Sequence, residues 1–154
     1  MSSFEREFKK YAVVFADIRG FTELFKLHDS EQMEMIVGDW FVTAYEEKIA
    51  KFNGFVDKFL GDGMLLLFSG TKDAFDACCA LLGLAKKIDE HLNGKLAKGW
   101  LGKEFSIGIG LEYGEVVEGK IHWTPRTHFE NWRVYQHGFE ARGNSKTVGD
   151  SGRE

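Results

Sequence analysis

The apolar positions fall into blocks of two different periods. Ala12 to Ala16 is an unbroken apolar run with β-branched and aromatic members, the pattern of a strand buried on both faces, and Asp17 closes it. Gly20, Phe21 and Thr22 open a short helix that runs to Leu27. Asp29, with Gln32 three residues on, has the spacing of a capping box. From there Met33, Ile36, Val37, Trp40, Phe41, Ala44, Tyr45, Ile49 and Phe52 recur at helical spacing. Asn53-Gly54 ends that pattern with a pair that tolerates left-handed geometry. Phe55 to Leu60 and Met64 to Phe68 read as strands joined by a Gly61-Asp62-Gly63 turn. Thr71 starts a second long helix, with Phe75, Cys78, Leu82, Ala85, Ile88 and Leu92 on its inner face. After a loop rich in Gly and Lys, Asn93 to Gly102, the residues Phe105, Ile107, Ile109 and Leu111 alternate with Ser106, Gly108 and Gly110 at strand period. Tyr113-Gly114 reads as a turn and Val116 to Ile121 as the partner strand.

The order β-α-α-β-β-α-β-β predicts a ferredoxin-like α+β fold, an antiparallel-rich sheet with helices packed on one face. Residues 1–10 are polar and charged and read as a frayed lead-in, and residues 11–121 as the core. Residues 122–154 are different in kind. Their aliphatic content falls to Val134, Ala141 and Val148, and Trp, His, Arg, Gly and Asn are scattered without period. No strand or helix that would bury a face is visible there. His122, His128 and His137 lack the helical or hairpin spacing of a metal cluster.

Composition narrows the function classes. A chain of 154 residues suits one domain with a substantial core. A net charge of −4 argues against a nucleic-acid partner, which calls for a basic stripe. No apolar run approaches the roughly 20 residues of a membrane span, and no signal peptide is visible at the start. Cys78 and Cys79 are neighbours, which point apart on a helix. They read as small core residues of a reducing, cytoplasmic protein.

Two aspartates carry the candidate chemistry. Asp17 ends a strand just before a glycine-started helix, and Asp62 sits in a tight turn between two apolar runs. Two carboxylates brought together from separate strands suit hard divalent cations such as Mg²⁺. Gly20, Phe21 and Thr22 would present backbone N–H groups to phosphate oxygens. Lys58, beside Asp57 on the strand before the turn, has the reach to meet a base or a phosphate. Taken singly, Asp17 also suits a helix cap, Asp62 a hairpin turn and Lys58 a solvated strand position.

FADIRGFT, then VDKFLGDGMLLLF, then SIGIGLEYGEVVEGKI resembles, in that order, the class III nucleotidyl cyclases, the adenylyl and guanylyl cyclase family. The resemblance covers roughly Tyr11 to Ile121. It implies a ferredoxin-like core that works as a head-to-tail dimer, either a homodimer or a heterodimer with a second cyclase domain. It also implies attack of a ribose 3′-oxygen on the α-phosphate of ATP or GTP, giving the cyclic 3′,5′ nucleotide and pyrophosphate, for intracellular signalling. Two ions, Mg²⁺ or Mn²⁺, would be held by Asp17, Asp62 and the backbone carbonyl of Ile18. Gly20, Phe21 and Thr22 would cradle the triphosphate, with Gly61 also beside the nucleotide. Lys58 stands where adenylyl cyclases place a lysine that recognises adenine and guanylyl cyclases usually have glutamate, which favours ATP. A diguanylate cyclase, of related fold, is disfavoured because no second acidic residue follows Asp62 in the hairpin.

The resemblance stops after Ile121. The family continues with a segment containing Val-Asn, then Ala, Arg and Leu-Glu, whose asparagine and arginine stabilise the transition state across the dimer interface. Residues Glu130 to Gly143 carry no such motif, so no catalytic residue of that kind is identified. Read from the second base of the Glu130 codon, however, degenerate codons for Glu130 to Gly143 permit Lys-Ile-Gly-Glu-Cys-Ile-Asn-Met-Ala-Ser-Arg-Leu-Glu-Gly. That string fits the missing segment in register, so the expectation is a slip of reading frame near Glu130. If the tail is genuine instead, the chain is a catalytically impaired nucleotide-binding or dimerisation module.

Overall fold

The apolar run that closes on Asp17 is the inner end of a longer strand. In the computed structural model, which describes residues 4–96, 99–123 and 128–135 (side chains over 6–94 and 99–119), β1 spans Phe4–Ile18. The strands lie in one sheet in the order β2-β3-β1-β4-β5. The helices complete an α+β fold, as the sequence pattern predicts. The chain divides into two compact units, residues 12–112 and residues 1–11 with 113–154.

In the first unit, β3 (Gly63–Phe68) lies antiparallel to β1, with Ala12 opposite Phe68 and Asp17 opposite Gly63. Its other edge pairs antiparallel with β2 (Phe55–Leu60). All six residues of β3 are buried, which accounts for its unbroken apolar sequence. Three α-helices follow the predicted order: α1 (Phe21–Leu27), α2 (Ser30–Thr43) and α3 (Thr71–Glu90). The core centres on Trp40, Phe68, Phe105, Leu24 and Ile36.

The capping box at α2 forms. The Asp29 carboxylate accepts from the Gln32 N–H at 2.9 Å, and the Gln32 side chain accepts from the Asp29 N–H at 3.0 Å. After Thr43 the helix widens into a π-helical stretch, Ala44–Ile49, then tightens into a 3₁₀ turn, Ala50–Phe52. The widening resets the phase. Trp40 and Ala44 are buried four residues apart, the next buried residue is Ile49, and Tyr45 is left exposed. Asn53 then takes the left-handed conformation, with φ of 59°, and ends the helix.

On α3 the buried stripe is Ala74, Ala77, Cys78, Leu81, Leu84 and Ala85. The expected inner residues Phe75 and Leu82 are exposed instead. A stripe weighted toward Ala and Cys lets a helix approach a sheet closely, so the bulkier residues of the other face are the ones turned outward. Cys78 is buried but Cys79 is exposed, so only the first of the pair is the core residue that both were expected to be: the helix turns Cys79 off the buried stripe. Burial pushes the Cys78 thiol up to about 11, which suits a packing role.

The end of α3 organises the loop that follows. Asp89 Oδ1 accepts from the Phe105 N–H (2.8 Å) and from Asn93 Nδ2 (2.7 Å). Asn93 also accepts from the Leu101 N–H (3.0 Å) and donates to the Lys103 carbonyl (2.9 Å). These bonds fix the chain from Leu101 to Phe105, just before β4 (Ile107–Trp123).

The second unit corrects three expectations. Residues from Phe4 onward are strand rather than a frayed lead-in. β4 continues through Tyr113-Gly114 with no turn. Residues of the tail form β5 (His128–Tyr135), which pairs antiparallel with β4 from Val116↔Tyr135 to Trp123↔His128. One cause links the first two. Tyr11 donates to Glu118 Oε1 at 2.7 Å and Lys9 lies 3.2 Å from Glu118, so each long strand gives the other partners beyond the core. A Tyr-Gly pair is only a local signal for a turn, and here the continuing strands outweigh it. The expected histidine positions 122, 128 and 137 lie outside the residues whose side chains are described.

Candidate active site

Asp17 and Asp62 meet because of strand register. Asp17 faces Gly63 across the β1–β3 ladder, which puts the hairpin turn against the end of β1. The Ile18 N–H donates to the Asp62 carbonyl at 3.3 Å, joining the two segments. Gly61 carries the turn with φ of 63°. Gly63 is required by close packing, since a Cβ there would strike the Phe15 ring.

The two carboxylates differ. Asp17 is the one buried charged residue among the described core residues, and its Oδ1 accepts no hydrogen bond. Burial holds the Asp62 carboxyl above the usual range. Its own backbone N–H pulls it down, and the charge of Asp17 adds a further push upward. A buried carboxylate oxygen left unsatisfied costs about 1–3 kcal/mol. A second carboxylate beside it adds repulsion. Both penalties are relieved by a divalent cation, so the donor set fits a hard metal ion. Among the described residues no group of three or more His, Cys, Asp or Glu side chains forms a metal cluster. The candidate centre is therefore a carboxylate pair, with main-chain oxygen and an incoming ligand left to supply the rest.

Gly20 follows at once, in the left-handed conformation that turns the chain from β1 into α1. Its carbonyl accepts from the N–H groups of Glu23 and Leu24. The N–H groups of Phe21 and Thr22, at the head of the helix, have no carbonyl one turn back to bond. Lys58 stands on β2, where a register shift between Val56 and Lys58 inserts Asp57 as an extra residue. Its Nζ lies 3.6 Å from Asp57 Oδ2.

Two cations at the site were not singled out from sequence. The Lys103 ammonium lies directly over Gly20, where a side chain at position 20 would stand, and pairs with Glu23 at 3.3 Å. Arg19 Nε lies 3.8 Å from Asp17 Oδ1. Arg19 was in plain view inside FADIRGFT. Lys103 comes from a loop whose path depends on Asp89 and Asn93, and no local signal marks it.

With this geometry in view, the similarities to known proteins are informative. Residues 4–133 match the adenylate and guanylate cyclase catalytic domain family. An adenylate cyclase of Anabaena cylindrica is 27% identical over 120 residues, covering 77% of this chain and 24% of that protein. An uncharacterised protein of Mycobacterium tuberculosis is 30% identical over 115 residues, 75% of this chain and 19% of its own length. The chain thus spans about a quarter or less of these relatives. Among solved structures, a bacterial light-regulated adenylyl cyclase superposes with a TM-score of 0.69 at 23% identity, covering 83% of this chain and 36% of the other. The adenylyl cyclase CyaB from P. aeruginosa gives 0.68 at 24%, covering 83% and 67%. The guanylyl cyclase Cya2 gives 0.66 at 24%, covering 82% and 64%. At these identities the structural likeness speaks for the fold. The family match, which covers most of the chain and contains both aspartates, speaks for descent: the chain belongs to the adenylate and guanylate cyclase catalytic domain family.

Proposed function

We propose that this chain is a nucleotidyl cyclase catalytic domain that converts ATP, in preference to GTP, to the cyclic 3′,5′ nucleotide and pyrophosphate. The observation that carries the reading is that Asp17, buried and unsatisfied at Oδ1, faces Gly63 across the β1–β3 register, with Asp62 in the adjoining turn bonded through its carbonyl to the Ile18 N–H. Asp17, Asp62 and the Ile18 carbonyl would hold two Mg²⁺ or Mn²⁺ ions. Bound there, such ions would activate the attacking ribose oxygen and neutralise charge on the phosphates. Gly20, Phe21 and Thr22 orient the triphosphate through backbone N–H groups, and Gly61 leaves room beside it. Lys58 donates to the adenine, the basis for ATP over GTP. The site would be completed in a head-to-tail dimer, and an ATP substrate implies action in the cytoplasm. Among the described residues no helix is long and apolar enough to cross a membrane.

The test is turnover of ATP and GTP with Mn²⁺ by the purified chain, and by Asp17→Ala and Asp62→Ala. Each substitution is expected to lower the rate at least about a hundredfold while the folded far-ultraviolet signal persists. A folded, dimeric protein that makes no cyclic nucleotide would overturn the assignment as an active enzyme.

A second reading has its own support. The asparagine and arginine expected after Ile121 are missing from residues 122–154, and the family match ends at residue 133, just past Glu130. Either the chain is an impaired nucleotide-binding module, or the frame slips near Glu130 and residues beyond it are out-of-frame peptide. Resequencing codons 120–154 separates the two. In the impaired case ATP still binds, and Asp17→Ala weakens it without any turnover to lose.

A further inference from the structure

Arg19 has no part in the site as assigned so far. Its backbone N–H is fixed by a 2.8 Å bond to the Ser106 carbonyl. From there the side chain lies across Gly108, and a Cβ on Gly108 would collide with the guanidinium. Gly108 lies in β4 and has no positive φ, so its backbone conformation does not call for glycine. What the missing side chain provides is room for the arginine. At 3.8 Å from Asp17 Oδ1, Arg19 Nε is beyond hydrogen-bond range, and that oxygen is buried with no other partner. A permanent cation is therefore held beside a buried carboxylate, close enough to balance its charge and too far to saturate it. The Arg19 side chain is 47% exposed, so it is free to rotate away.

We propose that Arg19 is a built-in counter-cation of the Asp17 site, docked over Gly108, which yields Asp17 to an incoming divalent cation and then engages the triphosphate that accompanies it. The inference rests on the reading of Asp17 as a metal ligand. A guanidinium does not lose its proton in a protein, so it makes way only by moving. Its planar fork matches two phosphate oxygens, and it needs no further charge to bind them.

The consequence is a pair of effects of opposite sign. Removing the arginine removes a competitor for Asp17, so Mn²⁺ alone should bind Arg19→Gln roughly three- to tenfold more tightly. It also removes a phosphate ligand, so 3′-deoxy-ATP with Mn²⁺, which cannot cyclise, should bind about tenfold more weakly. Gly108→Ala evicts the guanidinium without deleting it and should reproduce the tighter Mn²⁺ binding. Mn²⁺ titrations followed by electron paramagnetic resonance and calorimetry of 3′-deoxy-ATP read both effects without turnover. Asp17→Asn is the control. If it leaves Mn²⁺ binding intact, the metal-ligand reading fails, and this inference with it. If it abolishes binding while Arg19→Gln changes neither affinity, or weakens both, the arginine is structural and the inference alone is overturned. Should Arg19→Gln not fold, unchanged Mn²⁺ affinity in Gly108→Ala overturns it equally.

Discussion

At the scale of single residues, the proposed preference for ATP rests on Lys58. Lys58 stands on a bulged strand four residues before Asp62, and its side chain is partly exposed. A hydrogen bond from a charged donor is worth about 1.5–3 kcal/mol, so Lys58→Glu should shift the ratio of kcat/KM for ATP over GTP by about tenfold or more toward GTP. Parallel assays of the two nucleotides check this, and an unchanged ratio removes Lys58 from base recognition. The glycines act at the same scale in two ways. Gly20 and Gly61 are set by positive φ. Gly63 and Gly108 are set by neighbours, the Phe15 ring and the Arg19 guanidinium, that fill the space of a side chain.

At the scale of elements, β1 and the hairpin set Asp17 against the turn that carries Asp62, and α2 adds Met33, Ile36 and Trp40 to the core. α2 depends on its start. The reciprocal Asp29–Gln32 bonds satisfy N–H groups that a helix leaves open, and a lost N-cap typically costs about 1 kcal/mol. Asp29→Ala should therefore lower the urea midpoint by an amount equivalent to about 1 kcal/mol, with the slope of the transition unchanged. A midpoint equal to that of the parent would mean the box contributes nothing in the folded protein. The π-helical stretch after α2 acts at this scale too, since the phase shift it introduces is what brings Ile49 inward.

At the scale of the whole molecule, the proposed reaction calls for a segment beyond the core. In the proposed function the aspartates, glycines and Lys58 would supply metal, phosphate and base contacts, and residues 122–154 carry no motif that matches the expected transition-state segment. A chain rewritten in the shifted frame from Glu130 should restore the asparagine and arginine. Losing one such donor typically costs a hundred- to a thousandfold in rate, so turnover should rise by about that factor. Equal rates from both versions would show that the segment is not what limits catalysis.

Much of this protein is determined by its sequence alone. Periods of two and 3.6 mark the strands and helices, the Asp29–Gln32 spacing fixes a helix start, and apolar runs broken by Asp17 and Asp62 mark the candidate site. These are local signals, carried by residues within one or two turns of each other. The tertiary structure decided what depends on partners distant in sequence. Phe75 and Leu82 have the period of an inner face, yet the sheet accepted the smaller Ala and Cys stripe. Tyr113-Gly114 has the composition of a turn, yet β1 runs on and β4 runs with it. Lys103 reaches Glu23 only because Asp89 and Asn93 fold the intervening loop. Arg19 lies over Gly108 for a similar reason: the backbone bond from Arg19 to Ser106 joins segments nearly ninety residues apart, and no period in a sequence records such a contact.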